Sequence, residues 1–307
     1  MSFFACLRAL LFESINKKSF LVMLAIAVCI SALAGYVVRY DMFGVYENAK
    51  VGFFILVCCC LWMGMFDSLL AICDQRTVLE RDKFSGLHIS AFMFASIVFR
   101  AWHALLQTAI LFGITYLLIE WPSNAPQLLF GEPANRFVTL YLITCASQML
   151  GLAVSAVVKR NQHALTFAPF MLIYELIMSE TLFGLPAWLE PLRETTIVRW
   201  GLNALGSLYD IDTLPWQGEG KLDEILAMQA DSAAQSISQW NANGADAVRN
   251  AILNMHIDPS VMGVNHDLAE YTAAAGSVLF LWVGLAVLAL IAAVIAFAGF
   301  KRKVDWR

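Results

Sequence analysis

Apolar positions run almost unbroken through six stretches of the chain: Ser19 to Val38, Val51 to Cys73, Ile89 to Ile119, Phe137 to Val158, Ala164 to Leu185 and Gly276 to Phe300. A helix needs roughly 20 residues to cross a hydrocarbon core about 30 Å thick, so each stretch predicts a membrane-spanning helix. The third is longer than that, which predicts a tilt or a start at the interface. Ahead of the first, Phe4, Leu7, Leu11 and Ile15 recur at helical spacing, with Arg8, Glu13 and Lys17 elsewhere around the helix. That pattern predicts an amphipathic helix over residues 1–18, lying on the membrane surface. Between the second and third stretches sits a short island of balanced charge, Glu80, Arg81, Asp82 and Lys83. Asp74 suits an N-cap and Ser85 with Gly86 a stop, so the segment predicts a short helix with Val78 and Leu79 on one side and charges on the other. Such a helix fits a groove on a soluble partner, where paired charges fix register more than they add affinity.

Composition agrees with the pattern. The chain has 307 residues, 60% hydrophobic and only 14% charged, with a mean hydropathy of +0.67, against about 25% charged in soluble domains. A cleavable signal peptide is a competing reading of the first stretch, which follows Lys17 and Lys18 and contains Ala32-Leu33-Ala34; its length and the five apolar stretches after it favour a span. Basic residues set the orientation. With both termini inside, the inner segments hold Arg8, Lys17, Lys18, Arg76, Arg81, Lys83, Lys159, Arg160, Lys301, Arg302, Lys303 and Arg307. The much longer outer loops hold Arg39, Lys50, Arg136, Arg193, Arg199, Lys221 and Arg249. Both termini and the charged island are therefore expected in the cytoplasm, in the inner or cytoplasmic membrane of the cell. The cysteines, at 6, 29, 58, 59, 60, 73 and 145, avoid the large outer loop and suggest no disulfide framework. Cys58, Cys59 and Cys60 are neighbours on a helix, about 100° apart, and cannot converge on one ion.

Few ionisable residues fall inside the spans: Asp67, Arg100, His103, Glu175 and Glu180. A charge at a helix centre costs roughly 2.5 to 3.5 kcal/mol, against about 0.3 to 0.6 gained for each Leu, Ile, Phe or Val. Glu175 is therefore expected to face protein or a wet cavity, as a functional group or in a structural pair with Arg100 or a hydrogen bond within the bundle. Pro169 is expected to kink that span. From Pro186 to Ala275 the chain carries an excess of acidic over basic residues, and "KLDEILAMQADSAAQSISQW" and "ADAVRNAILNMH", either side of Asn243-Gly244, predict a small helical cap. His256, Asp258, His266 and Asp267 are possible metal ligands, but their spacing matches no strong site pattern.

Three segments carry a resemblance to a known family. They are "LERDKFSGLHISAFMFASIVFRAWHALLQTAILFGITYLL", with its Glu-Arg pair and Gly-Leu before span three; "GLAVSAVVKRNQHALTFAPFMLI", a helix end rich in small residues followed by a basic turn; and "LFGLPAWLEPLRETTIVRWGLNALGSLYD". In order and spacing they resemble the type-2 ABC exporter permeases, in particular the G-subfamily-like ones. The resemblance implies an all-α polytopic fold. Its parts are a connecting helix at 1–18, spans one to five over 19–185 with a coupling loop at 74–90, outer re-entrant helices and an acidic loop over 186–275, and span six with a basic tail at 276–307.

The resemblance also implies roles. Glu80, Arg81, Asp82, Lys83 and Gly86 belong to the coupling helix that receives ATP-driven closure of nucleotide-binding domains. Spans two and five of two copies line a central path, with Trp62, Phe66 and Leu69 sharing one face of span two. Phe167, Phe170, Met171 and Tyr174 occupy the inner half of span five; aromatic and Met side chains suit an adaptable apolar cavity. No G-x-x-x-x-G-K-[ST] occurs anywhere in the sequence. The expected partners are therefore an ATP-binding-cassette ATPase subunit, which holds ATP and Mg2+, a second copy or a paralogous permease, and membrane lipid. Nucleic acid is not among them, and no cofactor or metal is expected in the chain itself. The function implied is export of a hydrophobic or amphipathic substrate by alternating access. Two rivals stand beside it. A membrane sensor or assembly protein would use the acidic outer loop to bind a ligand; an intramembrane enzyme would need a catalytic constellation, and no H-E-x-x-H or G-x-S-x-G is present.

Overall fold

Backbone polar groups inside a bilayer find no water, so long apolar segments close their hydrogen bonds internally and become helices. The computed structural model describes residues 3–16, 18–39, 42–76, 78, 79, 81, 88–120, 133–158, 160–179, 186–211, 214, 228–235, 246, 248–250 and 275–305, and among them there is no strand. The long helices are α1 (Phe3–Asn16), α2 (Lys18–Val38), α3 (Tyr46–Ser68), α4 (Ile89–Thr115), α5 (Pro133–Val157), α6 (Asn161–Met178), α7 (Ile197–Tyr209) and α8 (Ala275–Asp305). A π-helical turn, Tyr116–Glu120, extends α4. A 3-10 turn, Ala187–Leu189, and a one-turn helix, Glu190–Arg193, lead into α7.

Among the described residues, five helices are long and apolar enough to cross a membrane: Phe20–Val38, Tyr46–Ser68, Ile89–Ile119, Pro133–Val157 and Ser277–Arg302. The expected fifth span is not among them. As α6 it comprises 18 residues, opens with Asn161-Gln162-His163 and carries Glu175, which dilute its apolar character; the expected continuation to Leu185 lies outside the described residues. Two other boundaries shift. Helix α3 begins at Tyr46 and takes in Lys50. Helix α5 begins at Pro133, so that Arg136, assigned above to an outer loop, is a buried residue within a helix.

Helix α5 is the axis of the bundle, packing against α3, α4, α7 and α8. In lipid there is no hydrophobic drive between helices, so close van der Waals fit must hold them. The crossing of α3 and α5 supplies it with small residues four apart on both helices, Gly64 and Ser68 facing Ser147 and Gly151. A Cβ on Gly64 would lie 2.8 Å from the Thr144 carbonyl oxygen, and one on Gly151 2.5 Å from that of Met65. Leu61, Met65, Leu140, Ile143 and Leu202 fill the space around the crossing and are fully buried. The hydroxyls of Thr139, Thr144 and Ser147 donate to carbonyls one turn back in α5, which satisfies their O–H groups within the helix. Helix α8 docks with the Trp282 indole N–H donating to Thr139 Oγ1 at 2.8 Å.

Helix α1 packs against α4 and α2. Its inward stripe is Phe3, Cys6, Leu7, Leu10 and Leu11, while Phe4, Arg8 and Phe12 are exposed. The expected stripe began at Phe4; the packed one is turned by about one residue. Cys60 is buried in the core and Cys58 and Cys59 are half-buried, as three successive helical positions must be. Metal ligands suggested at His256, Asp258, His266 and Asp267, most of the acidic loop, and Glu180 lie outside the described residues; residues 228–235 are helical.

Candidate functional site

Of the charged island only Arg81 is among the described residues. Arg81 is exposed; Glu80, Asp82, Lys83 and Gly86 lie outside the described residues. The chain leading into it is fixed. Beyond α3, the backbone N–H groups of Ile72 and Cys73 donate to Ser155 Oγ of α5 at 2.9 and 3.1 Å. The Cys73 thiol faces the Ser155 carbonyl at 3.1 Å, and Arg76 Nη2 donates to the Ala156 carbonyl at 3.2 Å. These contacts gather the end of α5, where unpaired carbonyls attract cationic donors. Asp74 does not cap a helix here; its Oδ1 accepts from the Asn161 side chain at the start of α6. Leu79 is buried while Val78 is exposed, so the two do not share a side, as the 100° step between helical neighbours requires. Leu79 packs in a cluster with Ile72, Phe92, Met93, Met149 and Leu152.

Deeper in the bundle, the expected intramembrane charges meet. Asp67 Oδ2 accepts from Arg100 Nη1 at 3.0 Å and Gln148 Nε2 at 2.9 Å, and lies 3.1 Å from His103 Nδ1. Because a carboxylate only accepts, Nδ1 is the ring nitrogen that carries hydrogen. Arg100 also reaches the Asp67 carbonyl at 2.9 Å, and Gln148 Nε2 continues to Gln107 Oε1 at 3.1 Å. The suggested Arg100–Glu175 pair is thus replaced by Arg100–Asp67, with α3, α4 and α5 each contributing. Sequence reasoning missed Gln107 and Gln148; their signal was an uncharged polar residue at a position otherwise apolar.

Glu175, on α6, is buried and serves another helix. Its Oε2 accepts the Val198 backbone N–H at 3.1 Å, in the first turn of α7, where unsatisfied N–H groups and the helix dipole favour a carboxylate. Tyr174 joins the same corner, with its hydroxyl 2.6 Å from Thr195 Oγ1 and 3.2 Å from the Leu192 carbonyl. Helix α7 ends at Asp210, whose φ of 49° is left-handed. At this end Arg136 is enclosed by the rings of Phe112, Tyr116 and Tyr209 and donates to the Tyr209 hydroxyl. Beside it is a cavity of about 10 Å³, bordered also by Phe53, Thr115 and Leu205, with room for about one water.

The expected path residues divide. On α3, Trp62 and Phe66 are 43% and 50% exposed, but Leu69 is fully buried. Leu69 lies just past the last residue of α3 and turns into the core, so the expected three-residue face is a two-residue face. On α6, Phe167 and Phe170 are 48% and 65% exposed, Met171 packs against the core, and Tyr174 is held as above. Helix α7 lies against both α3 and α6.

The sequence pattern of the ABC-2 type transporter family matches residues 2–209. The chain is also 24% identical over 153 residues to the ABC transporter ATP-binding/permease protein Rv1747 of Mycobacterium tuberculosis, a stretch that is 49% of this chain. That stretch is 18% of the relative's length, so the chain corresponds to less than a fifth of it. With the match covering α1, four of the five apolar helices and the corner of α6 and α7, the chain belongs to the ABC-2 type transporter family, as a multi-pass membrane permease.

Proposed function

We propose that the chain is the membrane-spanning half of an ATP-driven exporter. It pairs with a second copy or a paralogue and is energised, at the charged loop, by an ATP-binding cassette that itself holds ATP and Mg2+. The observation that carries the reading is the family match over 2–209, which includes that loop. The named relative joins ATP-binding and permease functions in one protein, in keeping with a cassette working against a permease of this kind.

Residues 80–86 are the coupling segment, with Glu80, Arg81, Asp82 and Lys83 setting register in the cassette's groove and Gly86 ending the helix. The α3 and α6 faces that carry Trp62, Phe66, Phe167 and Phe170 turn toward the partner copy and border an apolar path, with α6 as the fifth of six spans. Large apolar side chains left open on these two helices support a hydrophobic or amphipathic substrate. Nucleotide-driven switching between inward-open and outward-open packings moves it, and export follows the family resemblance. Both termini face the cytoplasm, in line with the basic residues on that side.

The test is simultaneous charge reversal, Glu80→Lys with Arg81→Glu, in the complex purified with its ATPase. The expected result is normal membrane insertion with loss of any nucleotide-dependent change in α6, read by hydrogen exchange of residues 161–179. A double variant that responds to nucleotide as the wild type does takes the loop out of the mechanism.

A further inference from the structure

The stem of the loop is bonded to α5 through one side chain in particular. Ser155 is fully buried, and its Oγ accepts two consecutive backbone N–H groups, those of Ile72 and Cys73. A hydroxyl oxygen has two lone pairs, and both are engaged by the stem. Six residues later α6 begins at Asn161, itself tied back to the stem through Asp74. The rest of α6 buries one narrow stripe, Ala164, Ala168, Leu172 and Glu175, so the corner where α5 ends is where a force on the loop reaches it.

We propose that Ser155 is a positioning residue that joins the charged loop to the α5–α6 corner, so that displacement of the loop is passed to α6 through this hydroxyl. The inference rests on the reading of residues 74–90 as the coupling loop. Without the hydroxyl the stem keeps Leu79 in its apolar cluster, a non-directional contact, and the side-chain bonds of Cys73 and Arg76 to α5 carbonyls and of Asp74 to Asn161. Those remaining bonds run through side chains that can turn about their own torsions, whereas the two at 2.9 and 3.1 Å hold the stem's backbone itself.

The experiment measures hydrogen exchange of residues 161–179 in the complex with its ATPase, nucleotide-free and trapped with ATP and vanadate. The variants are Ser155→Ala, Ser155→Thr and, at the exposed contact, Asn161→Ala. Expected are a nucleotide-dependent difference in the wild type, at least a fivefold smaller one in Ser155→Ala, and recovery in Ser155→Thr. ATP hydrolysis and retention of the ATPase should stay within about twofold of wild type. Asn161→Ala should lose at least half the difference, and it decides the matter if Ser155→Ala does not fold. A wild-type difference in a folded Ser155→Ala, or in Asn161→Ala where Ser155→Ala does not fold, overturns the proposal, as does failure of Ser155→Thr to recover it, which would leave Ser155 with packing alone. A wild type without any difference, or a charge-reversed loop that keeps it, overturns the coupling reading itself.

Discussion

Asp67 is held by three donors from two neighbouring helices, and the cluster explains how Arg100 is tolerated between apolar helices. An unpaired charge there is costly, while removal of one partner from a buried pair typically destabilises by roughly 3 kcal/mol or more. Asp67→Ala should therefore lower the thermal stability of the purified protein by about that amount; an unchanged melting curve would show that Arg100 finds its compensation elsewhere. Glu175 gives a graded case. Glu175→Gln keeps an acceptor for the Val198 N–H and loses only the charge at the start of α7, a cost of about 0.3–1 kcal/mol. Glu175→Ala orphans a buried N–H, at about 1–3 kcal/mol, and equal melting temperatures for the two would contradict the cap. The sequence marked Asp67, Arg100, His103 and Glu175 as costly in lipid, because a charge among apolar neighbours is visible one residue at a time. It did not reveal that Asp67 takes Arg100, since partners 33 residues apart meet only through the packing of two helices. The enclosure of Arg136 by Phe112, Tyr116 and Tyr209 was hidden for the same reason.

Among the helices, the crossing of α3 and α5 sets how closely the bundle can draw together. A side chain at Gly151 meets the Ser68 hydroxyl and the Met65 backbone, whereas a Cβ on Gly113 of α4 meets nothing within 4 Å. Gly151→Val should force the helices apart and abolish a folded, monodisperse protein in detergent. Gly113→Ala should leave stability unchanged or slightly higher, as Gly to Ala in a helix favours folding by roughly 0.5–1 kcal/mol. Comparable behaviour of the two variants in size-exclusion chromatography would mean that the crossing does not govern assembly. Four of the expected spans were legible almost to their ends, since a run of apolar residues alone marks them. Helix α3 was anticipated as far as Cys73, yet it ends at Ser68 because the next residues turn to meet Ser155. Helix α6 was the hardest to read: polar residues at its start, Pro169 and Glu175 weaken the apolar signal, and the last of these is explained only by α7.

For the molecule as a whole, the apolar surface is the main fact. Trp62, Phe66, Phe167 and Phe170 are open on α3 and α6, while Leu279, Phe280, Val283, Leu290 and Val294 are open on α8. A surface like that of α8, which carries no charge from Ala275 to Phe300, is what a helix facing lipid would present. The α3 and α6 faces stand beside α7 and Glu175, where a second permease is proposed to sit. The most direct test of the central claim is the intact mass of the complex, purified in gentle detergent from its native membrane, with every co-purifying protein identified. Two permease copies, alike or paralogous, together with two ATP-binding cassettes are the predicted result, whether the cassettes are separate subunits or joined to the same polypeptide. A lone chain, or one bound only to partners without a nucleotide site, would contradict it.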